Sequence, residues 1–246
     1  YEIKECDWSS DVCSSDLEED LEEVVRVEAG NGVTLTAEEQ ERIQLAVQRA
    51  EQQTKAEIVP MIVPRSGLYR DAQHWAGLVL ALIVLSLLLT LETLWLPWGW
   101  HAANAVWLVC ATMLAYGIGS RLGTIGPVIR LFTSKERMQR KVRLRAEQAF
   151  VRYAIAQTRE RTGVLIFLSV LEHQIFVLPD HPLAQQVPVE RWSQIVQAAV
   201  ERLKAQDIVG GLCEGVEECG HLLADVCPAG SGGNPDELPN QLVQER

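Results

Sequence analysis

The sequence predicts an α/β protein: a small sandwich in which helices cover a mixed sheet, interrupted by a two-helix transmembrane hairpin. Three observations carry this. Two runs without a charged residue, Trp75 to Leu91 and Ala102 to Ser120, stand in the middle of the 246-residue chain. Short apolar runs of strand character lie on both sides of them: EIVPMIVP (57–64) before, GVLIFLSV (163–170) and IFVLPD (175–180) after. Segments with apolar residues at helical spacing accompany those runs, and one helix with one strand buries too little to stand alone, so the flanks are expected to form a single domain.

Taken in order, residues 1–17 read as translated sequencing-library adapter. DWSSDVCSSDL, Asp7 to Leu17, back-translates to a common adapter string, and Tyr1 to Cys6 continue its frame around a variable index. A disordered polar terminus predicts the same absence of fold, so these residues are set aside as a fusion scar would be. Residues 18–35 begin with EEDLEE and read as an acidic, disordered tail. These two stretches hold most of the formal charge of -11. The remainder is near neutral, so no basic surplus points to a nucleic-acid partner.

The first part of the domain is expected over residues 36–68. TAEE, Thr36 to Glu39, is a capping box, and Ile43, Ala46, Val47 and Ala50 follow on one helical face. The strand from Glu57 contains Pro60, which cannot donate to a ladder, and this predicts an edge position or a bulge.

The hairpin is expected over 72–122, with helices at 74–96 and 102–122. Roughly 20 residues at about 1.5 Å each cross a hydrocarbon core. Trp95, Trp98 and Trp100 cluster at the short linker as an interfacial belt, with Glu92 nearby. A buried helical hairpin in a soluble core is the alternative, but such helices keep a polar stripe and these have none. The linker has no Lys or Arg, whereas Arg65 and Arg70 precede the first span, and Arg121, Arg130, Lys135, Arg137, Arg140, Lys141, Arg143 and Arg145 follow the second. The positive-inside rule therefore predicts an integral inner or plasma membrane protein with the soluble domain and both termini in the cytoplasm. The bilayer is one expected partner and another membrane protein a second. Gly117 and Gly119 suit close helix packing better than a phosphate loop.

Residues 133–227 are expected to complete the domain. TSKE, Thr133 to Glu136, reads as a second capping box opening a long helix, with Gly163 at its C-cap or the turn beyond. The two strands then form a β-hairpin, and two amphipathic helices follow, Val189 to Gln206 and Ile208 to Val226. The expected sheet has three or four strands. Residues 228–246, rich in Gly, Pro and polar groups, read as a flexible tail. Outside the adapter the cysteines are Cys110, Cys213, Cys219 and Cys227, with no CxxC pair; they read as small hydrophobes in a reducing compartment.

Several stretches together resemble the TPM-domain family, known from thylakoid and photosystem-repair proteins, a worm receptor-auxiliary protein and many bacterial membrane proteins. They are AVQRAEQQTKAEIVPMIVP with SGLYRDA, QTRERTGVLIFLSVLEHQIFVLPD, GLCEGVEECGHLLADVCP and NPDELPNQLV. The likeness spans most of residues 36 to 244 and is greatest to bacterial members whose domain is split by a transmembrane hairpin. The resemblance implies the α/β sandwich and, for some members, a phosphatase activity with strand-end acids holding a divalent cation. Carried over by position, these are Glu57 and Asp180. The Gly-rich turn usual after the last strand is replaced here by Asp180, His181, Pro182 and Leu183, from which a backbone-lined ion loop is harder to build.

Read as chemistry, Glu57, Glu172 and Asp180 are the candidate oxygen ligands, with Glu57 and Asp180 the catalytic candidates and Arg159 or Arg161 facing a phosphate. The commoner role of strand-end acids is solvation or pairing with an Arg. His173 and His181 flank the hairpin strand and could join Asp180, although loop histidines are more often exposed. Cys213, Cys219 and His221 share a helix without zinc-site spacing, and Glu217 with His221 is a surface pair. The residues themselves call for no cofactor. The expected function is a membrane-anchored interaction or envelope-maintenance module; the alternative is a divalent-metal-dependent phosphatase.

Overall fold

The computed structural model describes residues 6–7, 35–95, 102–205, 207–229 and 242–244. Most of the adapter-like segment, the acidic run, Trp98 and Trp100 therefore lie outside the described residues. The chain divides into two compact units, one built from residues 1–66 and 139–246 and the other from 67–138.

In the first unit the sheet centres on three strands: β2 (Glu57–Val63), β3 (Gly163–Ser169) and β4 (Gln174–Pro179). β2 pairs with β3 in parallel, without interruption from Glu57 opposite Gly163 to Val63 opposite Ser169. β3 and β4 form an antiparallel hairpin. Two-residue strands lie at the edges, β1 (Cys6–Asp7) on β4 and β5 (Val243–Gln244) on β2, giving the order β1-β4-β3-β2-β5 among the described residues.

The strands read as continuous apolar runs because both faces of the sheet are covered. Ile58, Ile62, Val164, Ile166, Leu168, Ile175 and Val177 face one core, shared with α1 (Ala37–Glu51), α7 (Val189–Lys204) and α8 (Ile208–Val226). Val59, Met61, Val63, Leu165, Phe167 and Phe176 face the other, against α5 (Lys135–Arg152) and Ile155. The alternation follows from the two-residue period of a strand. Each fully buried side chain of this size contributes about 1.5–3 kcal/mol; Phe167 and Trp192, 0% and 1% exposed, anchor the two cores.

The first capping box forms as read: Thr36 accepts from the Glu39 amide at 3.3 Å and donates its own amide to Glu39 at 2.7 Å. The second does not form in that register. Gly126–Phe132 makes a short helix, α4, entered through Pro127 and closed by Thr133 in an extended conformation, so α5 opens one residue later, after Ser134. Gly163 caps no helix. It opens β3 at a point where the Ile155 carbonyl occupies the place of a side chain.

The register through Pro60 has no bulge. β2 is next to the edge strand, and among the described residues β5 pairs with only Met61 and Ile62, so Pro60 lies just outside the paired span on an open stretch of β2. β5 lies within the segment read as a tail, most of which is outside the described residues. Leu242 packs on one core and Val243 on the other, so two apolar residues in strand alternation hold this end of the chain to an open ladder edge. Cys6 and Asp7, expected to take no part in the fold, pair with Ile175 and Gln174. Ladder bonds are made by backbone groups, so the edge of β4 accepts an extended segment whatever its side chains.

In the second unit α2 (Arg70–Trp95) and α3 (Ala102–Leu122) form a helical hairpin. Both helices are long and apolar enough to cross a membrane, with only 17% and 11% of their most apolar windows buried. A core helix of a soluble protein would be mostly buried. The seam is set by glycines: a Cβ on Gly119 would meet the Ala76 carbonyl at 2.8 Å, and one on Gly123 would meet Gln73 at 2.6 Å. Gly117, read with Gly119 as a packing residue, instead faces open space. His74 Nδ1 and the Tyr116 hydroxyl add a polar contact of 2.9 Å across the seam.

This asymmetry is testable. Gly119→Leu should lower the thermal unfolding midpoint of the detergent-solubilised chain, at a cost of about 1–3 kcal/mol from overpacking, whereas Gly117→Leu should leave it unchanged.

Candidate functional site

Glu57, Glu172 and Asp180 occupy two opposite ends of the sheet. Glu57 and Asp180 lie at the first row, Glu57 opposite Gly163 and the Asp180 amide bonded to the Gly163 carbonyl at 2.9 Å. Glu172 lies beyond Ser169, the last residue of the seven-residue strand β3. At about 3.3 Å per residue the strand separates these ends by roughly 20 Å, so one ion cannot touch all three acids. Among the described residues no group of three or more His, Cys, Asp or Glu side chains is placed to hold a metal.

At the first end Glu57 is 1% exposed and Asp180 3%. They belong to the same face of the sheet, but they stand two strands apart, with the Ile155 backbone seated over Gly163 between them. The Asp180 carboxylate already has three donors: Arg161 Nε at 3.1 Å, Arg161 Nη2 at 3.2 Å and the His181 amide at 2.7 Å. It is thus the N-cap of α6 (His181–Gln186) and half of a two-point ion pair. The segment that replaces a Gly-rich turn is itself a short helix, with Pro182 in its first turn where a missing N–H costs nothing. Nearby, Glu51, the last residue of α1, accepts from the Ile58 amide at 2.9 Å, and Lys55 pairs with Glu160 at 3.1 Å.

The opposite end holds a cluster that no sequence motif announced. Ser66, in the loop after β2, donates its amide to Glu172 Oε1 at 2.9 Å and its hydroxyl to Ser169 Oγ at 2.8 Å; Ser169 in turn donates to Glu172 Oε2. Glu172 is 3% exposed and Ser169 fully buried. The turn that carries Glu172 is tied to the same loop by backbone bonds, Val170 N–H to the Val63 carbonyl and Leu171 N–H to the Pro64 carbonyl. His173 closes it in the left-handed region, at φ 52°. Gln174, paired with Ser169 across the hairpin, is also buried, and its side-chain carbonyl has no hydrogen-bond partner among the described residues. This end lies past the carboxyl ends of the parallel pair, where ligands bind in open α/β sheets. Here the acid is spent internally, latching the exit of β2 to the hairpin turn. Ser169 and Glu172 three residues apart were the only local signal, and Ser66 comes from across the hairpin insertion.

The other candidates do not converge. Arg159 is exposed, and Arg161 spends two of its donors on Asp180. His181 contacts Gln185 one turn along α6, while His221 and Glu217 are exposed on α8. Cys219 faces the core, and burial, with the nearby Cys227 in second place, pushes its thiol strongly up. Burial likewise raises Cys213 and Cys227, the latter against a Thr54 hydrogen bond that lowers it. Cys110, Cys213, Cys219 and Cys227 are free thiols, and the three whose burial raises them, Cys213, Cys219 and Cys227, are poor nucleophiles.

Two substitutions separate cap from cation. Asp180→Ala should lower the unfolding free energy by about 1–2 kcal/mol through loss of the cap and the buried acceptor. Arg161→Ala should cost less, under about 1 kcal/mol, because the Arg161 side chain is 58% exposed and water can replace it. Chemical denaturation of the two variants checks the order.

The comparisons with known proteins agree with this fold. Residues 128–222 match the sequence model described as the TPM domain. No curated protein matches the chain. Among solved structures, the NMR structure of the BA42 protein from the psychrophilic bacterium Bizionia argentinensis is similar, with 19% identity, a TM-score of 0.52, and coverage of 86% of this chain and 95% of that one. At that identity the likeness speaks for the fold alone. The matched range begins after the hairpin, yet β2, which comes before it, is the full parallel partner of β3. Residues 128–222 thus carry the TPM-domain match, and most of them lie in an α/β unit drawn from both sides of the 67–138 segment.

Proposed function

We propose that this protein is an integral membrane protein whose α2–α3 hairpin spans the bilayer and tethers the TPM domain on the cytoplasmic side, where the domain binds another membrane or envelope protein. The observation that carries the reading is the exposure of the two apolar helices. Leu82, Ile83 and Leu87 of α2 are 56%, 57% and 56% exposed, and Val106, Trp107 and Val109 of α3 are 64%, 74% and 61% exposed. In water such surface is costly at about 25 cal/mol per Å²; in hydrocarbon it is the expected surface. The absence of Lys and Arg between the spans, against the many that follow α3, supports the orientation.

The binding role is supported by how the acids are used. Asp180 caps α6 and holds Arg161, and Glu172 latches a turn, so both carboxylates serve the fold. The second reading, a divalent-metal-dependent phosphatase, draws on Glu57 and Asp180 sharing one face of the sheet end, with Glu172 too far away to join them. Hydrolysis of a phosphomonoester by the purified full chain, with and without Mg²⁺ or Ca²⁺, distinguishes the two. The binding reading expects no metal-dependent turnover. Turnover that is lost in both Glu57→Ala and Asp180→Ala, with circular dichroism unchanged, would replace it with the phosphatase.

A further inference from the structure

The outward face of α3 carries a groove that the hairpin seam does not use. Leu114, Gly117, Ile118 and Arg121 line it at helical spacing, with Met113 and Thr124 beside them. Met113, Leu114 and Ile118 are 69%, 67% and 50% exposed, and a Cβ on Gly117 would meet nothing within 4 Å. The notch exists because position 117 has no side chain. At its end stands Arg121, exposed in the last turn of α3, with no ion pair among the described residues. The Thr124 hydroxyl is folded back onto the Arg121 carbonyl at 2.7 Å, so the guanidinium is the charged feature of the groove.

We propose that this groove holds one anionic phospholipid, with an acyl chain along Gly117 between Leu114 and Ile118 and the phosphate on Arg121. The inference rests on the membrane reading above. Its own support is the order of chemistry along the helix: an apolar notch within the span, then a cation where the span ends at Leu122. A phosphate matches the planar donor set of arginine in two-point geometry. A second copy of α3 fits less well, since a parallel symmetric pair would set Arg121 against its equal.

Native mass spectrometry of the detergent-solubilised full chain, titrated with phosphatidylglycerol or phosphatidylcholine, tests this. The wild type should carry one phosphatidylglycerol at least about fivefold more readily than phosphatidylcholine. Arg121→Gln should bring the two lipids to equal occupancy. Gly117→Leu should reduce both several-fold while elution and circular dichroism stay those of the wild type. Equal occupancy of the two lipids in the wild type, or variants that bind phosphatidylglycerol as the wild type does, would overturn the proposal and leave the membrane reading standing. Release of the chain from membranes by alkaline carbonate would overturn both.

Discussion

The parallel pairing of β2 with β3 is the constraint on which the rest of the α/β unit depends. Seven residues of one strand meet seven of the other, Glu57 to Val63 against Gly163 to Ser169, across an interval that contains α2, α3, α4 and α5. Parallel neighbours cannot be joined by a tight turn and need a crossover. Here the crossover includes two helices long and apolar enough to span a bilayer. On the proposed membrane reading, two crossings would return the chain to the side it left, and an even number is what a β2–β3 pair requires.

Once that pair is set, the remainder follows from burial. A two-sided apolar strand pair must be covered on both faces, and the chain supplies α1, α7 and α8 for one and α5 for the other. The polar residues that remain buried do local jobs at the two ends of the strands. Glu51 takes up the Ile58 amide, Asp180 starts α6, and Glu172 with Ser66 and Ser169 fastens the exit of β2 to the β3–β4 turn. An acid at a strand end is a weak sign of catalysis for this reason: burial raises the cost of leaving it unpaired, and nearby N–H and guanidinium groups satisfy it.

Much of this was legible from residue order. The two long apolar helices, β3, β4, α7, α8 and the Thr36 capping box come from strong periodicity or from a local side-chain rule. Other features depend on geometry that spacing does not encode. α4 and α6 are short helices opened by Pro127 and Pro182, each in a segment that also reads as a turn. β5 is two residues at the end of a tail whose composition argues for disorder, held because Leu242 and Val243 fall on opposite, already apolar, faces. Gly117 and Gly119 look alike as residues two apart on one helix, yet one is at the seam and the other faces outward. The Ser66 latch joins side chains more than a hundred positions apart, and only the fold brings them together.

Placing both halves of the sheet on one side of the membrane is the central claim, and labelling tests it directly. Single cysteines introduced at Glu38, before the hairpin, and at Glu160, after it, both exposed, would be probed in a chain whose own cysteines are replaced, using a membrane-impermeant maleimide on intact cells and on inverted vesicles. The account predicts that both sites label in inverted vesicles and neither in intact cells. Labelling of the two sites from opposite sides would contradict it.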